Sequence, residues 1–120
     1  MQRPSCCRPI LGDPTRLRQG GQVLVFAVIY HYTDEHERRE EVRPIHRTFL
    51  VGLGEAMLCA GPFAPHEDAG ALLLFQASSE EAVLALLDED PFRIHGLIAH
   101  ADVRCWLPSL GHVASHLPMP

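Results

Sequence analysis

The segment Val23–Tyr32 (VLVFAVIYHY) constrains the fold most, because it has the length and the β-branched and aromatic composition of a β-strand. Successive side chains of a strand point to opposite faces of a sheet, and both alternating sets are apolar up to Tyr30. The run Ala71–Ala77 (ALLLFQA) has the same character. A strand that is apolar on both sides is typical of a sheet covered on both faces. The sequence therefore predicts a doubly covered sheet.

The remaining patterns predict, in chain order, a polar loop over 33–41, a helix from Val42, a strand over Met57–Phe63, a helix over Ser79–Glu89 and a strand over Ile98–Leu107. Pro44 lies in the first turn of the first helix. The apolar stripe of this helix is assigned to Ile45, Phe49, Leu53 and Ala56. Ser78 and Glu81 form a capping box that opens the second helix.

The resulting order is β-α-β-β-α-β, which is the ferredoxin-like split-βαβ arrangement. It predicts an α+β protein with a four-stranded antiparallel sheet and two helices on one face. One layer of helices leaves the second apolar face uncovered. We therefore predict a homodimer that packs sheet to sheet, as in a dimeric α/β barrel.

The chain divides into a flexible N-terminal extension, 1–22, a folded domain, 23–107, and a C-terminal tail, 108–120. The longest apolar run has eight residues, against roughly 20 for a membrane-spanning helix. The extension contains prolines, and it lacks the apolar core that a secretory signal needs. We accordingly expect a cytoplasmic protein that does not enter the membrane.

Charge and composition restrict the partners and the chemistry. The net charge of −5 opposes binding to phosphate backbones, so no nucleic-acid partner is predicted. The four cysteines show no zinc-ligand spacing, and the eight histidines fall in no metal-binding motif. We predict no metal site and no cofactor.

Topology is expected to bring distant polar residues together. In this fold the first and fourth strands are antiparallel neighbours, so the start of the first helix lies near the end of the second. Arg43 and His46 should then lie near Asp90. The same rim is predicted to hold His31, Tyr32 and His100, and Arg43 and His100 are assigned to substrate binding.

His46 and Asp90 suit acid–base chemistry. His46 borders the apolar stripe, and a half-covered site can shift the pKa of an imidazole from about 6.5 in either direction, which suits proton transfer near neutrality. A carboxylate beside it would fix the ring's tautomer. Two structural alternatives stay open. Asp90 is also the expected N-cap of a short turn that Pro91 begins and Gly96 closes. Arg43 can equally pair with a neighbouring glutamate.

Several short motifs within 23–107 together resemble the YCII-related (YciI-like) family: VRPIH at 42–46, GP at 61–62, SEEA at 79–82, DPF at 90–92, GL at 96–97 and VxxW at 103–106. The resemblance implies a ferredoxin-like fold, dimerisation through the sheet face and an active site built on a His and an Asp. Matched motif by motif, these are His46 and Asp90, and Arg43 matches the family's arginine.

These observations leave two hypotheses about function. The first is a small cofactor-free enzyme, a lyase or isomerase that moves a proton on a small anionic metabolite with His46 and Asp90. Resemblance to relatives that act on small ring compounds suggests this reaction class. The second is a non-catalytic ligand-binding or regulatory dimer in which the same two residues are structural.

Overall fold

The structure is a computed structural model that describes residues 22–119. The predicted N-terminal extension lies outside the described residues, apart from Gln22. The elements follow in the order β1 (Leu24–Tyr32), α1 (His36–Gly52), β2 (Met57–Pro62), β3 (Gly70–Ala77), α2 (Glu80–Leu87), α3 (Pro91–Ile94) and β4 (Ile98–Trp106). Short 3₁₀ turns follow α1 and interrupt the tail, at Gly54–Ala56 and Ala114–His116.

The four strands form one sheet in the order β2-β3-β1-β4, and every neighbouring pair is antiparallel. The two apolar strands, β1 and β3, occupy the centre, where each is paired on both sides. This order and direction define the ferredoxin-like fold of the dimeric α/β-barrel type. The predicted fold class is confirmed, and each predicted strand agrees with the structure to within one residue at either end.

The core lies between one face of the sheet and the helices. Alternate residues of β1 and β3 are buried there with two residues of α2: Leu24, Phe26, Val28, Tyr30, Ala71, Leu73, Phe75, Val83 and Leu87. A smaller cluster joins α1 to the segment around α3, and it consists of Val42, Phe92 and Leu97. The second cluster packs against Tyr32, at the end of β1. Both helical layers are therefore fixed on the same face of the sheet.

The opposite face of the sheet, here called the open face, carries the other alternating set of β1, β3 and β4. Leu72 is 39% exposed and Trp106 is 44% exposed, although both are large apolar residues. Within the described part of the chain, no helix has the length and hydropathy to cross a lipid bilayer.

The start of the first helix differs from the prediction. The segment assigned to a loop is helical from His36, so Pro44 lies inside α1 rather than in its first turn. Proline in a helix interior removes one backbone hydrogen bond. The glutamates and arginines before Pro44 have high helix propensity, and the helix forms in spite of this loss. The predicted apolar stripe is wrong at Ile45, which is 57% exposed, whereas Leu53 is partly buried and packs against the core. The buried residues of α1 are Arg39, Val42 and His46.

Helix caps agree with the prediction in part. The N-cap of α2 is Ser79 rather than Ser78, and its hydroxyl accepts a hydrogen bond from the backbone N–H of Ala82. The short turn after α2 is as predicted: Asp90 is the N-cap of α3 and Pro91 is its first residue. Gly96 follows α3 with a φ of 70°, a left-handed conformation that glycine adopts without strain.

Candidate active site

His46 and Asp90 form a buried pair at the junction of α1, α3 and the sheet. The Nδ1 atom of His46 lies 2.7 Å from Oδ1 of Asp90, although 44 residues separate them in the chain. The Asp90 side chain is fully buried and that of His46 is nearly so. His46 is therefore more deeply buried than the boundary position that the sequence predicted.

The Asp90 carboxylate accepts three hydrogen bonds. Besides His46, the backbone N–H of Phe92 donates to Oδ1 at 2.9 Å, which is the helix cap. The hydroxyl of Tyr30 donates to Oδ2 at 2.7 Å. The capping role and the pairing with His46 were alternatives in the sequence, and the structure contains both. A carboxylate with this many donors stays hydrogen-bonded on both oxygens without solvent.

Tyr30 extends the pair into a chain of three side chains. Burial, followed by the nearby charge of Asp90 and their hydrogen bond, raises the pKa of Tyr30 far above its ordinary value. The phenol therefore stays protonated and acts as a donor to the carboxylate. Tyr30 lies on the core face of β1, so the sheet fixes the position of its hydroxyl.

The ring of His46 is held in place on its face as well as at its edge. It stacks on the ring of Phe92, with 3.8 Å between centroids and 3° between planes. The hydrogen bond to Asp90 keeps the single N–H of the neutral imidazole on Nδ1. The other nitrogen, Nε2, therefore carries the free lone pair. None of the described residues forms a hydrogen bond with Nε2.

A cleft of about 70 Å³ adjoins His46, between α1 and the edge of the sheet formed by β2 and β3. Its polar wall consists of Tyr32, Arg43, His46 and Arg47, and its apolar wall includes Leu50, Pro62, Ala71 and Leu73. This volume is smaller than the range of about 300–1,000 Å³ that is usual for complete small-molecule sites, so the single chain forms only a shallow recess here. Convergent polar groups on an apolar background are the usual composition of such a site.

Arg43 lies on the wall of this cleft and is paired with Glu40, while its assignment to substrate binding stays a prediction. Its Nε donates to Oε1 of Glu40 at 3.2 Å, and Nη2 donates to Oε2. The hydrogen bonds that Arg43 donates to Glu40 lower the pKa of the Glu40 carboxyl and raise the pKa of the Arg43 guanidinium, so both groups are charged. The alternative pairing raised from the sequence is thus present in the structure.

The structure does not bring His100 to the dyad. His100 pairs with His31 across β1 and β4, and the two rings lie 5.5 Å apart on the open face. Nε2 of His100 lies 3.0 Å from Oδ1 of Asp102, a hydrogen bond that lowers the pKa of Asp102. Tyr30, one residue before His31, points to the other face. The substrate-binding role assigned to His100 stays a prediction, without support from this geometry.

Sequence reasoning missed two members of the site. The strand pattern gives Tyr30 no role in the site. A buried tyrosine hydroxyl needs a hydrogen-bond partner, and this requirement is the feature of the sequence that could have indicated its contact with the site. Phe92 follows Asp90-Pro91 directly, so its position near the dyad follows from the chain. No cluster of three or more His, Cys, Asp or Glu side chains within residues 22–119 could hold a metal ion.

A ferredoxin-like sheet with a buried His–Asp pair beside a cleft defines a small α+β protein of the dimeric α/β-barrel class. The chain belongs to the YCII-related family, since the model of the YCII-related domain matches residues 25–107. No curated protein matches the chain significantly in sequence.

Two solved structures share the fold. The dehydrochlorinase TftG of Burkholderia phenoliruptrix AC1100, which acts on 5-chloro-2-hydroxyhydroquinone and was solved with 2,5-dihydroxybenzoquinone, is 22% identical with a TM-score of 0.64. The match covers 72% of this chain and 96% of TftG. A NIPSNAP family protein of Agrobacterium tumefaciens str. C58 is 15% identical with a TM-score of 0.51, over 73% of this chain and 94% of that protein.

Proposed function

We propose that this protein is a small enzyme that transfers a proton on a small ring compound, as a lyase or an isomerase, without a cofactor. The observation that carries the proposal is the buried chain Tyr30–Asp90–His46, which fixes an imidazole on the wall of a cleft. In this proposal His46 is the general acid and base, and Asp90 and Tyr30 are positioning residues.

The geometry supports a defined role for each nitrogen of His46. Nδ1 donates to Asp90, so Nε2 is the atom that accepts a proton from the substrate. The imidazolium formed in this step is stabilised by the adjacent carboxylate. In an isomerisation the proton returns to another atom of the substrate. In an elimination the electron pair left on the substrate expels the leaving group, and the imidazolium releases its proton to that group or to water.

The reaction class is also supported by a structural neighbour. TftG, which has the same fold, is named a dehydrochlorinase, that is, an enzyme that eliminates HCl from a hydroxylated ring compound. Elimination from such a ring needs a base near a ring C–H or O–H, which is the role assigned here to His46. The cationic side chains on the cleft wall support a substrate with negative charge.

We further propose that the working unit is a homodimer that pairs the open faces of two sheets. Large apolar side chains such as Leu72 and Trp106 are exposed on this face in the single chain, while its helical face is already covered. Covering them with the same face of a second copy would give the barrel for which this fold type is named.

The alternative is a non-catalytic ligand-binding or regulatory dimer. It is favoured by one observation: Asp90 caps α3 through the same oxygen that binds His46, so the pair has a structural reason to exist. The two functions differ in turnover and share the same contacts, so binding experiments alone do not separate them.

The test is a thermal-shift screen of anionic ring compounds, hydroxyquinones included, followed by NMR of each ligand in D₂O. We expect the wild-type protein to exchange or eliminate a ring hydrogen. His46→Gln should lower this rate about 10²–10⁴-fold. Ile45→Gln, on the exposed side of the same helix, is the matched control and should retain the rate. Full turnover by His46→Gln, or binding without turnover by the wild type, would refute the enzymatic proposal and favour the alternative.

A further inference from the structure

One face of α1 carries every residue that the helix contributes to the cleft beside the dyad. These residues are Arg43, His46, Arg47 and Leu50, and their spacings of three and four residues place them on one side of the helix. Two arginines therefore lie next to the imidazole, and their surroundings differ.

Arg43 is the less available of the two cations. Two of its N–H groups donate to the carboxylate of Glu40, which also cancels its charge. An anion approaching Arg43 would meet the negative charge of Glu40. No residue within 22–119, by contrast, forms a hydrogen bond or an ion pair with Arg47, and this side chain is exposed. Its full positive charge is open to a ligand.

Arg47 also lies where two clefts meet. The second cleft, of about 210 Å³, is lined by Arg47 together with Leu50, Val51, Met57 and Ala60. Arg47, Leu50 and Ala60 thus line both clefts. Among residues 22–119, Arg47 is the only charged residue that lines the second cleft, so an anion there has a single cation of this segment to bind.

We propose that Arg47 binds the negatively charged group of the substrate, and that the site takes small ring compounds bearing one carboxylate. This inference rests on the proposed function, because it uses the same cleft. A carboxylate matches the planar guanidinium fork through two parallel hydrogen bonds. A single unpaired cation neutralises a monoanion, whereas a phosphate dianion would retain a net negative charge. The ring would then extend from Arg47 towards Nε2 of His46.

The test compares two probes, 2,5-dihydroxybenzoate and its methyl ester, which differ in the carboxylate charge. Dissociation constants are measured by NMR titration with the wild-type protein, Arg47→Gln and Arg38→Gln. We expect the wild type to bind the acid about tenfold more tightly than the ester, since a charge-assisted pair at a partly exposed site contributes about this factor. Arg47→Gln should abolish the preference and leave ester binding unchanged. Arg38→Gln, which removes an exposed cation of the same helix that lines neither cleft, should retain the preference.

The preference should also decrease as salt is raised, because an exposed ion pair is screened. Equal binding of the two probes by the wild type, no measurable binding of the acid, or an unchanged preference in Arg47→Gln would overturn the inference. Each result is a binding constant that needs no turnover. Loss of the Arg47 effect therefore leaves the catalytic test of His46 unaffected, and failure of the catalytic test leaves the charge preference measurable.

Discussion

The imidazole of His46 lies flat against the ring of Phe92, with 3.8 Å between the two centroids. Stacking restricts tilting of the imidazole plane, and the hydrogen bond to Asp90 restricts rotation within that plane. Since Asp90 and Phe92 are two residues apart at the start of α3, one helical turn positions the ring in both respects. A reactive nitrogen held in this way needs little reorganisation before proton transfer.

Replacement of Asp90 should destabilise the protein strongly. Asp90→Ala leaves three buried donors without an acceptor, and we expect a loss of about 3–5 kcal/mol in the free energy of unfolding. Asp90→Asn keeps the shape and one acceptor, so its loss should be smaller, about 1–3 kcal/mol. Urea denaturation of the two variants measures both values.

Asp88→Asn is the matched control, because Asp88 is an exposed aspartate in a surface ion pair: its Oδ1 lies 3.7 Å from Nη2 of Arg93. Its effect should stay below about 1 kcal/mol, as for other surface ion pairs. Equal effects at the two positions would show that the buried carboxylate adds nothing beyond a surface charge.

Tyr30→Phe should destabilise the protein by about 1–3 kcal/mol near neutral pH, because Oδ2 of Asp90 loses its donor. It should also change the alkaline pH dependence. The pKa of Tyr30 is raised by burial, so above about pH 10 the unfolded chain loses a proton that the folded protein keeps. Stability of the wild type therefore falls as the pH rises through this range, by up to about 1.4 kcal/mol per pH unit for each such group.

Burial also raises the pKa of Tyr32, and the chain has two tyrosines in all. Tyr30→Phe should accordingly reduce the alkaline slope without removing it. Denaturation curves recorded from neutral to alkaline pH test this, and a slope equal to that of the wild type would contradict the assigned burial of the Tyr30 phenol.

Gly70→Ala should destabilise the sheet at the position that supports Tyr30. A Cβ on Gly70 would overlap the backbone oxygen of Tyr30 and lie 3.2 Å from the ring of Phe63. Backbone cannot move aside as a side chain can, and we expect a loss of about 1–3 kcal/mol. Gly61→Ala in the neighbouring strand meets nothing within 4 Å and is the control. Thermal unfolding that ranks the two variants in the opposite order would contradict this prediction.

Leu72→Glu should convert the proposed homodimer into a monomer. Leu72 is exposed at the centre of the open face, and a buried, unpaired carboxylate there would strongly disfavour pairing of two sheets. Ile45→Glu places the same charge on the exposed side of α1 and should leave the dimer intact. Sedimentation equilibrium measures the masses. A monomeric wild type, or a dimeric Leu72→Glu variant, would contradict dimerisation through this face.

The sequence predicts the sheet well, because the apolar strands β1 and β3 differ sharply from their polar neighbours. The topology then brings His46 to Asp90 without any knowledge of side-chain packing. The same reasoning misplaced the start of α1, since a buried arginine and a buried histidine look polar in a periodicity analysis. Arg39 is buried because its guanidinium lies over the Tyr32 ring and donates to the Thr33 carbonyl, two tertiary contacts that no spacing encodes.

His100 shows a second limit of sequence reasoning. Its expected position at the rim is correct along the strand, since it pairs with His31 at the end of β1. Side chains of a strand alternate between the two faces of the sheet, so an error of one residue in the register moves a side chain to the opposite face. The pairing of β1 with β4 is also irregular between His31 and Tyr32. His100 is therefore near the predicted rim along the strand, but its side chain lies on the open face, away from the cleft.

Oδ1 of Asp90 both starts a helix and fixes the imidazole. A screen for heat-resistant variants would consequently keep the aspartate in every survivor, whether or not the protein catalyses anything. Finding Asp90 in all variants selected for thermal stability would therefore not show that it takes part in catalysis. The informative position is His46, where a replacement that packs equally well on Phe92 separates folding from turnover.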